Sequence, residues 1–104
     1  DNIFDVRFLP NPHYVNSLAE KTGEDEKVQE YILKWPLSQK FYDKFFDFID
    51  FLIPEYNKEG KSHLSLAIGC TGGKHRSVTT AIKLEEFLSE KNYRVVVEHR
   101  DINK

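Results

Sequence analysis

Leu64-Ser65-Leu66-Ala67-Ile68-Gly69-Cys70-Thr71-Gly72-Gly73-Lys74-His75-Arg76-Ser77 changes its local chemistry twice along its length. The first five residues alternate large apolar with small side chains, the pattern of a strand covered on both faces. After the stretch, Val78, Ala81, Ile82, Leu84 and Leu88 recur at helical spacing. A strand that runs through a glycine-rich turn into a helix leaves unpaired N–H groups at the helix start, and these together with the helix dipole attract an anion. The turn is therefore a candidate phosphate site. Gly72 and Gly73 can take positive φ and let a ligand approach the backbone, Lys74 and Arg76 bring charge, and Thr71 and Ser77 bring hydroxyls. Arg76 is expected to hold a phosphoryl oxygen, so that Arg76→Ala weakens binding and leaves the fold intact.

The turn does not match the Walker pattern, because no Gly-Lys-Ser/Thr follows a first glycine at the required distance. Cys70, Arg76 and Ser77 do fit C-x5-R-S, which resembles the signature loop of cysteine-dependent phosphatases. That resemblance implies Cys70 as nucleophile, Arg76 holding the phosphoryl group and Ser77 assisting the thiol as it leaves. A cysteine at a helix N-terminus beside Lys and Arg suits such chemistry. Against it, Gly69 stands where that family usually has His, and Trp35-Pro36 is followed by Leu37 where a general-acid Asp is wanted.

Working outward, residues 3–9 alternate as a strand stopped by Pro10-Asn11-Pro12, which puts His13 just past a strand's C-terminal end. Val28, Tyr31 and Ile32 mark a short helix over 24–34 behind acidic residues. Trp35-Pro36 breaks it, and Ser38 is a candidate cap for a long second helix. There Phe41, Phe45, Phe48, Ile49, Leu52 and Tyr56 share a face that Tyr42, Phe46 and Ile53 widen. At that spacing the aromatic stripe reads as core rather than as a base-stacking platform. Pro54 is expected to kink or end the helix, and Gly60 to close the segment. Tyr93 to Glu98 is a β-branched run expected as a last strand, parallel to 64–68 through a right-handed crossover. The expected fold is a small three-layer α/β domain with a mainly parallel sheet flanked by helices. In such sheets ligands bind beyond the carboxyl ends of the strands, so His13, the Cys70–Ser77 turn and His99-Arg100 converge on one rim, with His63 at the opposite end. Asp5, Arg7 and Asp101 are further candidates for that rim, the alternative for the first two being a place inside the sheet.

The 104 residues fit one domain, with one Cys and therefore no internal disulfide, no run of membrane-spanning length and no signal-peptide pattern. A cytoplasmic protein is expected. No histidine pair has the i, i+4 spacing of a helical zinc site, so no metal is expected. Fifteen Lys plus Arg stand against seventeen Asp plus Glu, a formal charge of −2 that excludes the bulk positive charge of a dedicated nucleic-acid binder. Any RNA contact must be a local patch, for which Lys74, Arg100 and Lys104 are the candidates, acting on phosphates.

A longer resemblance is carried by Asp5-Val6-Arg7-Phe8-Leu9-Pro10-Asn11-Pro12-His13-Tyr14, Thr22-Gly23, Glu59-Gly60-Lys61-Ser62, Ala67 through Ser77, and His99-Arg100-Asp101. Together these resemble the C-terminal domain of the RapZ (YvcJ-like) RNase adapter family, over nearly the whole chain. The resemblance implies an RNA-binding, metabolite-sensing module whose ligand is glucosamine 6-phosphate. Its implied partners are a small regulatory RNA, an endoribonuclease and further copies of itself in a homo-oligomer. The implied ligand residues are His13, Cys70, Thr71, Gly72, Gly73, Lys74, His75, Arg76 and Ser77. It also implies that residues 1–104, which open on Asp1 and contain no Met, are an excised C-terminal domain. ATP or GTP then belongs to a preceding P-loop domain, and this domain needs no cofactor. Three classes stand: a sugar-phosphate and RNA-binding module, favoured; a cysteine-dependent phosphatase or phosphotransferase; and a structural oligomerisation domain.

Overall fold

In the computed structural model, which describes residues 2–60, 63–70 and 73–99, two short strands form the base of the domain. Strand β1 (Asn2–Asp5) pairs in parallel with β2 (Leu66–Gly69), setting Ile3 beside Ala67, Phe4 beside Ile68 and Asp5 beside Gly69. The strands are joined by a 3-10 turn (Pro12–Tyr14) and two helices, α1 (Glu26–Leu33) and α2 (Pro36–Lys58), and β2 leads into α3 (Arg76–Glu90). This is the expected α/β fold, a parallel sheet with helices packed on it.

Strand alternation sorts the sheet residues. Phe4, Leu66 and Ile68 point toward α2 and α3 and pack on Phe45, Ile49, Leu84 and Leu88. Ile3 and Ala67 point the other way, Ile3 being 84% exposed. The second strand, expected to be covered on both faces, is thus covered on one among the described residues. A second cluster, Val6, Leu9, Leu18, Val28, Ile32 and Tyr42, lies where the chain leaving β1 meets α1 and α2.

The aromatic stripe of α2 is core, as its spacing predicts. Phe45 stacks on Phe41 at 5.1 Å and meets Phe4 edge-on at 4.7 Å, while Tyr42 stacks on Phe46 at 5.2 Å. Burying each such ring contributes roughly 1.5–3 kcal/mol, with edge and offset contacts adding to that. Tyr42 also shares a 2.8 Å hydrogen bond with the Thr80 hydroxyl, and burial pushes its phenol up to about 12 despite that bond. Phe48 departs from the expected face and is 48% exposed.

Four local expectations are corrected. β1 ends at Asp5, well before Pro10, because the Asp5 carboxylate accepts the N–H of Arg7 at 2.9 Å and turns the chain. Ser38 does not cap α2: Pro36 takes the first helical position, where its missing N–H costs nothing, and Ser38, the third helical residue, is buried in the first turn. Of the two effects expected of Pro54, ending the helix is the one overturned: α2 runs on to Lys58, since Leu52 and Ile53 hold that end against the core. Gly60, at φ +84°, does close the segment. Residues 93–98 join no ladder among the described residues; Tyr93 and Val95 instead cover an edge of the α2–α3 core. A β-branched run supplies a half-buried face, not a pairing partner.

Candidate functional site

The strand-to-helix passage has the geometry its residues suggest. β2 ends at Gly69, the N–H of Gly73 turns back to the Cys70 carbonyl at 3.3 Å, and Gly73 takes φ +63°, the left-handed conformation for which glycine is suited. Thr71 and Gly72 lie outside the described residues. α3 then starts without a side-chain cap. The Ser77 N–H donates to Cys70 Sγ at 3.3 Å, and the thiol lies 3.3 Å from Ser77 Oγ as a donor to it. The first turn of α3 is therefore fastened to the end of β2.

Arg76 is only 5% exposed, and its guanidinium Nη1 donates to the backbone carbonyl of Arg7 and, at 3.4 Å, to that of Leu9. This place weighs against the expectation that its removal leaves the fold intact: Arg76 ties the segment leaving β1 to the start of α3. Asp5 and Arg7 do not enter the sheet interior. They are exposed and paired at 2.7 Å beside the loop. The Arg7 N–H, then its side chain and charge, and finally the Arg76 charge hold the Asp5 carboxyl below its ordinary value. An open cleft of about 350 Å³ lies here, lined by Ile3, Phe4, Asp5, Arg7, Gly69 and Cys70. It runs along β1 from Ile3 and past the last residues of both strands, Asp5 and Gly69, at the end of the sheet where open α/β folds bind ligands.

His75 takes a different place from the one its motif suggests. Its ring is buried, lies near the carbonyls of Lys21, Ala19 and Leu18, and leaves Nε2 without a partner. Burial lowers its pKa, Lys74 adds to the lowering, and the carbonyls oppose it, so the ring favours the neutral form. Lys74 is half-buried, with its carbonyl accepting the Gly23 N–H at 2.8 Å. His13 is exposed on the 3-10 turn, its N–H bonded to Asn11 Oδ1 at 3.0 Å. His99 is half-buried, and Arg100, Asp101 and Lys104 lie outside the described residues. The structure thus gathers Cys70, Arg76 and Ser77 with Asp5 and Arg7, and turns His75 toward the Leu18–Lys21 segment.

Residue-type reasoning about the loop passed over Gly23. Its N–H bonds Lys74, and its carbonyl accepts from Gln29 Nε2 at 2.8 Å and from the Thr79 hydroxyl at 3.5 Å. A Cβ at this position would lie 2.6 Å from both the His75 carbonyl oxygen and the Thr79 nitrogen. The Thr22-Gly23 turn thus sits directly on the first turn of α3. The only signal for it in the sequence was that pair's place in the longer resemblance.

A parallel strand pair whose second strand passes through a glycine loop into a helix packed on the sheet defines a small α/β class of domain. Within that class the chain belongs to the RapZ C-terminal domain family, whose model matches residues 1–103. It is 72% identical over its whole length to a nucleotide-binding protein of Halothermothrix orenii, of which it covers 37%. It is 56% identical over its whole length to one of Caldicellulosiruptor bescii, covering 36%, and 54% identical over 97% of its length to one of Clostridioides difficile, covering 35%. The chain spans just over a third of the length of these curated relatives.

Proposed function

We propose that this domain senses a phosphorylated sugar, of the glucosamine 6-phosphate kind, at the β2–α3 loop and contacts RNA through basic residues on the same rim. The observation that carries this reading is the fastening of an uncapped helix start to the strand end, Ser77 N–H to Cys70 Sγ at 3.3 Å, beside an open cleft. It fixes the glycine turn against the first turn of α3, and a fixed loop is what a small anion needs to be bound out of water. Gly73 and Lys74, with Thr71 and Gly72, would contact the phosphate, and His13 the sugar side. Cys70, Arg76 and Ser77 hold the loop in shape. Membership of the RapZ C-terminal domain family supports the sugar-phosphate and RNA assignments. Lys74, Arg100 and Lys104 would meet RNA phosphates, and weak contacts would gain strength from several copies held together. In a longer protein like the relatives, the nucleotide would be bound by the part this chain does not span, and an endoribonuclease would receive the RNA. The working place of such a module is the cytoplasm; among the described residues no helix is long and apolar enough to cross a membrane.

The phosphatase reading has one observation in its favour, the Ser77 hydroxyl against the Cys70 thiol. Arg76 speaks against it, since its Nη1 is spent on two backbone carbonyls. Cys70→Ser separates the readings. Sugar-phosphate affinity is expected to stay within about threefold, because a hydroxyl can still accept the Ser77 N–H. Phosphate release, assayed on sugar phosphates and an aryl phosphate, is expected to be absent in both proteins. Release by the wild type that disappears in Cys70→Ser would replace the sensor with an enzyme.

A further inference from the structure

Helix α1 runs out into a corner that is both aromatic and cationic. Lys27, Tyr31, Lys34 and Trp35 stand at i, i+4, i+7 and i+8, along one face of the helix and its exit. The Tyr31 and Trp35 rings meet edge-on with centroids 6.1 Å apart, and Lys34 Nζ stands over both, 5.0 Å and 5.5 Å from their centroids. Trp35 is 40% exposed, and Leu37, two residues on in the first turn of α2, is 51% exposed. The corner is held firm by Gln39. Its Nε2 donates to the Leu33 carbonyl at 3.1 Å and its N–H to the Trp35 carbonyl at 3.2 Å, tying the end of α1 to the start of α2. Lys27, Lys34 and Lys40 are exposed, and none of them takes part in the ion pairs found among the described residues. Residues 27–40 carry these three lysines and one acid, Glu30, a net +2 within a chain of −2.

We infer that this corner docks a short acidic segment of a partner protein, one in which Asp or Glu alternates with large apolar residues. The apolar side chains of the segment pack on Trp35 and Leu37, and its carboxylates meet Lys34, with Lys27 and Lys40 to either side. The lengths agree: from Lys27 to Trp35 the helix rises ~12 Å, which an extended peptide covers in about four residues. Rigid aromatic rings are the usual anchors of protein interfaces, because they bury much area for little lost freedom. The unpaired lysines select an anionic partner and speed its approach, while the apolar contacts supply the attraction. A single-stranded nucleic acid has the same sign of charge, but it binds by stacking bases on ring faces. Here the Lys34 ammonium already stands over a face of each ring, where it serves a carboxylate and obstructs a base. The contact is smaller than a stable interface of at least ~1,200 Å², so the expected complex is weak and transient. None of these residues lines the cleft beside the β2–α3 loop, and the inference is independent of what that loop binds.

Trp35 is the only tryptophan of the chain, so its fluorescence reads this corner directly. The probe is a short synthetic peptide alternating Glu with Leu and Phe, titrated into this chain. A peptide with Lys in place of each Glu and a single-stranded RNA oligonucleotide of similar length are titrated beside it. The acidic peptide is expected to give a saturable blue shift of Trp35 emission that weakens with salt, and the other two to leave the emission unchanged. Lys34→Glu is expected to weaken the acidic peptide at least ~10-fold, and Leu37→Ala to weaken it less. Both side chains are exposed, and unchanged thermal unfolding shows that the variants are folded. No shift with the acidic peptide, an equal shift with the Lys peptide, or an affinity indifferent to Lys34→Glu in folded protein would each overturn the proposal. A shift produced by the RNA and not by the acidic peptide would overturn it in favour of a nucleic-acid site.

Discussion

Gly23→Ala is expected to destabilise the domain by about 3 kcal/mol or more, a large effect for one methyl group. Gly23 is not among the positive-φ residues, so alanine is not excluded by its backbone conformation. The loss would come from contact alone. The added Cβ would lie 2.6 Å from backbone atoms of His75 and Thr79, which cannot rotate away as a flexible side chain could. Overpacking of this kind costs about 1–3 kcal/mol. Moving the turn to relieve it would also break the Gly23–Lys74 and Gln29–Gly23 bonds, at about 1–3 kcal/mol for each buried group left unpaired. Thermal unfolding checks it: a fall in Tm of more than about 10 °C is expected for a domain of this size. A shift within about 2 °C would mean that the Thr22-Gly23 turn is not seated on α3 as described.

Arg76→Ala is the second large effect, and it couples fold to site. The side chain is buried, and its Nη1 serves two carbonyls of the segment leaving β1. Each hydrogen bond to a charged group is worth about 1.5–3 kcal/mol, and truncation leaves both acceptors with no donor. A loss of about 2–4 kcal/mol is expected by chemical denaturation, with sugar-phosphate affinity falling as the loop loosens. Arg76→Lys should recover part of the stability, since an ammonium can reach one carbonyl but cannot present the guanidinium's fork. Full stability of Arg76→Ala with impaired binding would return Arg76 to the role of a direct phosphate ligand that the sequence alone suggested.

Why those roles were hard to read follows from distance along the chain. The strand, glycine turn and helix at 64–90 are local events, signalled by alternation, glycine and 3.6-residue periodicity, and the structure has them. The core role of the α2 aromatics was legible for the same reason. Arg76, by contrast, reaches carbonyls of residues 7 and 9, nearly seventy positions away in the chain. Neither its motif nor its charge distinguishes a ligand-facing guanidinium from a buried one. Gly23 and His75 depend likewise on how the 18–23 segment lies against α3, which no local pattern encodes. Tyr93 to Glu98 shows the reverse error. Its propensity for strand is plain, yet a ladder needs a neighbouring backbone in register, and propensity carries no information about that.

Whether the β2–α3 loop holds a sugar phosphate is decided by isothermal titration of this chain with glucosamine 6-phosphate. The expected result is saturable one-site binding that inorganic phosphate competes away, that glucosamine without phosphate does not reproduce, and that Lys74→Ala weakens at least ~10-fold. Absence of binding by folded wild-type chain, or affinity unaffected by both phosphate and Lys74→Ala, would contradict it.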